Sequence, residues 1–221
     1  DDVGAFGFRH AARRGQARAA RALALRYGTV PILALGAAAV KASIHYESAF
    51  ASVRKTVDAT EEEYAQLSAS IKEMSTEVAT GADSIAEVTA VAGQLGIQNQ
   101  YLLDFTRTMI DLGNSTDIAA SEGAVSLAQF ANVTGMAQSL FSNFGAALVD
   151  LGNNFATTES AILNMATRLA SAGAQVGMTQ PQILGFATAL SSVGLEAEAG
   201  GTAFSKAMVE MQMAVETGSE S

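Results

Sequence analysis

The sequence holds no cysteine and no tryptophan, and only two prolines and two histidines among 221 residues. Without cysteine, neither a disulfide framework nor a thiolate metal site is open to it, and the compartment stays undecided. The histidines, His10 and His45, belong to no His-Glu-x-x-His pair and have no cysteine to act with, which excludes metalloprotease and Cys-His chemistry. Neither Gly-x-Ser-x-Gly nor the phosphate-binding Gly-x4-Gly-Lys-Ser/Thr occurs. Long apolar runs are missing too. The most apolar stretch, VPILALGAAAV at 30–40, is shorter than the ~20 residues that span a bilayer. As a signal-peptide core it would need a cleavage site, and a helical pattern through Ile44, Phe50 and Val53 follows instead. It reads as the start of a buried helix with Pro31 in the first turn.

Basic residues are scarce everywhere but at the start. The first 55 residues hold nine Lys/Arg against three Asp/Glu, the remainder four against nineteen, so charges of +6 and −15 make up the net −9. This asymmetry describes an arm with an anionic partner joined to an acidic body. In the Arg/Ala-rich arm, 1–29, Arg14, Arg18 and Arg21 share a helical face. Two readings stand: contact with nucleic acid or a phospholipid surface, or a solvated face packing on another part of the same assembly. No aromatic residues interleave to stack on bases. Asp1-Asp2 in place of an initiating methionine is what an internal fragment would show.

What the chain has in abundance is a helical period within a longer one. In the run 135–158, GMAQSLFSNFGAALVDLGNNFATT, the residues Phe141, Phe144, Leu148 and Leu151 follow Gly135 as one helical stripe, and Gly152 closes it. The frame recurs from Gly96 with Leu102, Phe105, Met109, Leu112 and Gly113, and from Gly177 with Ile183, Phe186, Leu190, Val193 and Gly194. Opening glycines stand 39 and 42 residues apart, and Gly218 lies 41 further on. This is the length of a two-helix repeat. The central phenylalanine is expected to anchor each stripe, and each closing glycine to take the left-handed conformation that ends a helix.

A second helix then completes each unit. Asp117 and Thr158 are expected as N-caps of the first two, while Glu196 and Glu198 favour the third. Inward residues should be Ile118 and Val125, then Ile162, Met165 and Leu169, then Phe204, Met208, Met211 and Val215. A single hairpin cannot bury its apolar face, so the units must stack. The expected fold is all-α: about three stacked hairpins of roughly forty residues preceded by long helices. The domains are a basic arm at 1–29, long helices with a heptad-like seam at 30–80 and a helical-repeat core at 81–221.

Smaller motifs fit this plan. Thr60-Glu61-Glu62-Glu63 has capping-box form, with a metal site as the competing reading. The helix it opens carries Tyr64, Leu67, Ile71, Met74 and Val78, a seam for a helix of this chain or of a second copy. Asp83 starts another helix with Ile85, Val88, Ala92 and Leu95 inward. Gly200-Gly201, with no following lysine, reads as a close helix–helix contact or a break at a helix start rather than a phosphate cradle. Asp111 and Asp150 hold equivalent places before Leu-Gly, which the repeat explains without an acid–base pair. No catalytic, cofactor-binding or metal-ligating residue is assigned.

The strings FASVRKTVDATEEEY (50–64), MIDLG (109–113), VDLGNNFATTESAI (149–162), LEAEAGGTAFSKAM (195–208) and VPILALGAAAVKA (30–42) resemble the core region of phage tail tape measure proteins. The likeness runs over 29–215, with the segments in family order, while the basic arm is only loosely similar. It implies a non-enzymatic, mostly helical virion protein lying inside the tail tube of a long-tailed phage or prophage. Such a protein sets tail length during assembly and leaves ahead of the DNA. The partners implied are the tail tube protein, tail-tip or baseplate proteins and tail assembly chaperones, with homo-oligomers expected and no cofactor. The basic arm offers a further contact with DNA or host membrane. The alternative reading is a membrane-active helical protein that uses 30–40 and the arginines to perforate the host envelope during ejection. An enzyme would require a pocket of convergent polar groups that the sequence does not reveal.

Overall fold

The computed structural model describes residues 30–218, so the basic arm at 1–29 lies outside the described residues. The chain divides into two compact units, 1–47 and 48–221. Nine α-helices and no strand occur among the described residues, in agreement with the all-α expectation. They are α1 (Val30–Thr56), α2 (Glu61–Glu77), α3 (Ala82–Gln94), α4 (Asn99–Ser115), α5 (Ala120–Thr134), α6 (Phe141–Asn154), α7 (Glu159–Gln175), α8 (Gln180–Ser192) and α9 (Ala197–Thr217). A 3-10 turn, Gln138–Leu140, leads into α6. The burial expected for 30–40 falls mainly on side chains outside the described ones, and the next apolar positions, Val40 and Ile44, are exposed.

In the second unit the last turns of α1 bury Phe50 and Val53, and the helices that follow form two layers. One layer holds α2, α4 and α6 in succession, and the other holds α3, α5, α7 and α9. The same hairpin plan therefore begins one unit before the first glycine frame, with α2 and α3. N-caps of the α3, α5, α7 and α9 layer are Gly81, Ala119, Thr158 and Glu196, at intervals of 38, 39 and 38 residues. In the facing layer the caps Thr60, Gln98 and Ala137 are separated by 38 and 39, and Thr179, which caps α8, follows 42 residues later.

The glycines explain how units join. Gly96, Gly135 and Gly177 have φ of 80°, 65° and 77°, where a β-carbon would be strained. The amide after each glycine reaches back five residues: Ile97 N to Ala92 O at 3.1 Å, Met136 N to Ala131 O at 2.9 Å and Met178 N to Gly173 O at 2.9 Å. These are Schellman stops, so the opening glycines end the preceding unit. Of the closing glycines only Gly194 is left-handed, at φ 78°. Gly113 and Gly152 lie inside α4 and α6, contrary to expectation. They act as clearances: a β-carbon at Gly113 would stand 3.0 Å from the Ala120 Cβ, and one at Gly152 would overlap the Glu159 side chain. Each lets the following helix start close by. Those two helices end in extended residues, Thr116 and Phe155, whose amides close back on Leu112 and Leu151.

The stripes bury as the period requires in the first two frames. Leu102, Phe105, Met109 and Leu112, and then Phe141, Phe144 and Leu148, are all buried, with Leu151 half-buried. Phe105 meets Phe141 edge-on at 4.6 Å, and Phe130 meets Phe144 at 5.0 Å. In the third frame the expectation fails. Ile183, Leu184, Ala187, Thr188 and Ser191 face inward on α8, whereas Phe186 and Val193 are exposed. The helix is turned because it packs on α7, where Gly173 leaves room for Ile183. Val125 is likewise exposed, and α5 buries Leu127, Ala128 and Phe130 instead. On α9, which packs on α7, Phe204 is buried and Met208 half-buried, but Met211 and Val215 are exposed. Gly200 and Gly201 face Met165 and Arg168 of α7, the close helix contact expected of them.

Candidate interaction surface

Side chains that link successive hairpins stand at one position of the repeat. Asn99, Gln138 and Gln180 each follow their N-cap and reach back to a backbone carbonyl one unit earlier, in a loop for the first two and at the end of α5 for Gln180. Asn99 Nδ2 donates to Asp58 O at 2.7 Å, Gln138 Nε2 to Gly96 O at 3.3 Å and Gln180 Nε2 to Thr134 O at 3.1 Å. Gln138 Oε1 also accepts the Gln98 amide at 2.9 Å. These bonds satisfy backbone groups that neither flanking helix can pair. The sequence carries a signal for them, Gly-apolar-x-Asn/Gln, in Gly96-Ile97-Gln98-Asn99, Gly135-Met136-Ala137-Gln138 and Gly177-Met178-Thr179-Gln180.

At the opposite end of the hairpins Asp117 makes the link. It does not cap its own helix, whose N-cap is Ala119. Its carboxylate instead accepts the Ser160 amide at 3.0 Å and hydroxyl at 2.5 Å, capping α7 of the next hairpin beside the N-cap Thr158. Burial raises the Asp117 pKa, but the Ser160 hydroxyl and amide outweigh it and leave the group below its ordinary value. Asn114 Nδ2 donates to Thr80 Oγ1 at 3.1 Å, tying α4 to the loop before α3 without capping a helix.

The acidic cluster at 61–63 is structural. Thr60 N donates to Glu63 Oε2 at 2.7 Å and Glu63 N to Thr60 Oγ1 at 3.3 Å, the two halves of a capping box. The first of these lowers the Glu63 pKa. Arg54 donates bidentately to Glu61, at 2.7 and 2.8 Å, and this pairing lowers the Glu61 pKa. The seam behind the box buries Tyr64, Ile71 and Met74 within the chain, with Leu67 and Val78 half-buried. Among the described residues no group of three or more His, Asp or Glu is arranged to hold a metal ion.

Grooves run between the hairpins on the α2, α4, α6 face. The groove between α4 and α6 has a volume of about 480 Å³ and is lined by Thr108, Leu112, Gly145 and Val149, with Asp111 and Asp150 on its two walls. Those aspartates are engaged locally: Arg107 Nε donates to Asp111 at 3.3 Å, and Asn154 Nδ2 to Asp150 Oδ1 at 3.0 Å. The last interval differs in kind. Because α8 sits against α7 rather than α6, an apolar cleft of about 320 Å³ opens, lined by Met136, Leu140, Phe144, Ala147, Pro181 and Leu184. On the other flank of α8, Phe186 meets Phe204 of α9 at 5.7 Å and remains half exposed. No helix among the described residues is long and apolar enough to cross a membrane.

Stacked hairpins with grooves between them and an apolar cleft at the last unit define an all-α repeat scaffold. Residues 68–220 match the model of the phage-related minor tail protein family, and the chain belongs to that family. It is a structural component of a phage tail, with other tail proteins as its neighbours. No curated protein and no solved structure matches the chain significantly.

Proposed function

We propose that the chain is the folded core of a tail tape measure protein, acting inside the tail tube in assembly, length determination and genome delivery. The observation that supports this most is where the resemblance falls. MIDLG and VDLGNNFATTESAI hold Gly113 and Gly152, which admit the next helix, and Thr158 and Ser160, where α7 is capped. The shared strings are thus the ones that build hairpin junctions. The partners in this reading are the tail tube protein, tip or baseplate proteins and assembly chaperones, and no catalytic residue takes part.

Within that role the described region is an organiser, not a ruler. A continuous helix advances ~1.5 Å per residue, whereas packed hairpins advance about 8–10 Å per unit of 38 or 39 residues. The stack gives up roughly five-sixths of its possible length. Sequence elsewhere in a full-length protein would do the measuring, while this body starts tube polymerisation or engages the tip and envelope. Deleting 136–177 from the phage gene tests this cleanly, because Gly135 then joins Met178 and restores a Gly-Met junction. Electron microscopy should show missing or aberrant tails. Normal-length tails on particles that fail to deliver DNA would move the role to ejection and the membrane. Tails shorter by about 60 Å, the helical length of the lost residues, would refute the organiser reading.

A further inference from the structure

We propose that two copies of the chain pair through the outer face of the last hairpin, α8 with α9, about a two-fold axis. In a stack of hairpins the end unit is polar outside or is covered by another unit. The α8–α9 face is neither. On α8 the exposed stripe is Gln182, Phe186, Ala189 and Val193, at steps of four, three and four. On α9 the stripe Phe204, Met208, Met211 and Val215 has the same steps, and exposure climbs along it from 8% at Phe204 to 82% at Val215. The two stripes adjoin where Phe186 meets Phe204 at 5.7 Å. Alternating steps of three and four are those by which one helix packs lengthwise on another. Thus α9 keeps its packing seam after the cover given by its own chain has run out.

The chemistry of the face selects a second copy as occupant. No charged residue occurs from 169 to 195, so α8 carries none. Beside the α9 seam stand Ser205, Ala207, Gln212 and Ala214, again uncharged, while Lys206 and Glu210 lie away from it and pair with each other at 3.9 Å. Beyond residue 55 the chain holds a net −15, so two copies repel except where both faces are uncharged. Phe186, Val193, Met211 and Val215, each 49% to 82% exposed, together offer about 500 Å² of apolar surface per copy. At the ~60% apolar share usual in interfaces this corresponds to about 800 Å² per partner, the size of a standard stable contact. A two-fold contact uses the same patch on both copies and closes on itself. It stops at a pair, as a component of a tail of fixed length requires.

Light scattering after size exclusion of the full chain tests the pairing. Mass should rise with concentration from one chain to two and stop there. High salt should hold or tighten the pair, because it screens repulsion between the acidic bodies and leaves apolar burial intact. Val193→Glu and Met211→Glu each place a charge in the contact from an exposed position, and each should raise the Kd about a hundredfold or more. Val133→Glu, at an exposed valine of α5, should leave the pair unchanged. Should Met211→Glu lose its helical circular dichroism, Val193→Glu decides alone. A monomer at every concentration overturns the proposal. So do a pair that survives the Glu variants of this face, a pair that Val133→Glu breaks equally, and an assembly that salt dissolves or that grows past two. The phage deletion experiment reads the role in the tail and is unaffected by either result.

Discussion

Three phenylalanines hold equivalent places in three glycine frames, yet the fold gives them different work. Phe105 is fully buried, Phe144 is 6% exposed and Phe186 is 49% exposed. Replacing Phe105 by alanine removes a ring packed edge-on against Phe141 and leaves a closed cavity, at a cost of about 4 kcal/mol. Phe144→Ala, which loses the Phe130 contact, should cost about the same. Phe186→Ala removes a side chain already half in water and opens no closed cavity, so about 1 kcal/mol is expected. Urea unfolding followed by helical circular dichroism separates the cases. With a slope of about 2 kcal/mol per molar, the midpoint should fall by about 2 M for Phe105→Ala and Phe144→Ala, and by about 0.5 M for Phe186→Ala. If Phe186→Ala moved the midpoint as far as Phe105→Ala, the rotated placement of α8 would be wrong and the simple repeat would hold.

Two further outcomes probe the links between hairpins. Asp117→Ala should destabilise the chain by about 1 kcal/mol near neutral pH, the size of a lost helix cap. Since the folded pKa of Asp117 is depressed, its contribution is full above the unfolded value of about 3.9 and is lost as pH falls through the folded value. Urea midpoints of the two proteins should therefore differ at pH 6 and converge in acid; a gap independent of pH would show that the carboxylate is not what matters. Gln138→Ala should cost about 1 kcal/mol and, more tellingly, speed hydrogen exchange at the Gln98 amide that Gln138 holds. Unchanged protection there would remove Gln138 from the ladder.

Helix content and stacking were legible because they rest on period and on glycine, both of which sequence displays. The stripes at 102–112 and 141–148 needed only 3.6-residue spacing, and Thr60-Glu63 needed only a capping box. The function of each glycine was harder, because a left-handed stop and a clearance for a neighbouring helix look alike in a string of letters. Gly96, Gly135 and Gly177 are stops, while Gly113 and Gly152 are clearances, and only the partner atom tells them apart. Asp117 was misassigned for a similar reason: a capping side chain seeks any exposed helix amide, and the one it finds belongs to the next hairpin. The ladder of Asn99, Gln138 and Gln180 was visible at fixed distance from each glycine, but its acceptors are carbonyls 41 to 46 residues earlier, beyond what local spacing reveals.

The departure of the last hairpin has a source in helix length. From N-cap Ala119 to Gly135 is 16 residues, and from N-cap Thr158 to Gly177 is 19. These three extra residues account for the whole difference between glycine spacings of 39 and 42. Within a helix they carry the exit about 4.5 Å further along the axis and turn it by about 300°, equivalent to about 60° the other way. The chain leaves α7 in a new direction, and α8 settles against α7 instead of continuing the α2, α4, α6 layer. That one change turns Phe186 and Val193 outward and opens the cleft between α6 and α8. Removing three residues from the exposed side of α7 should return α8 toward the layer, and shielding of Phe186 from a soluble quencher of an attached reporter would measure it. If α8 kept its place, the Ile183 contact at Gly173 and not the exit angle would be what fixes it.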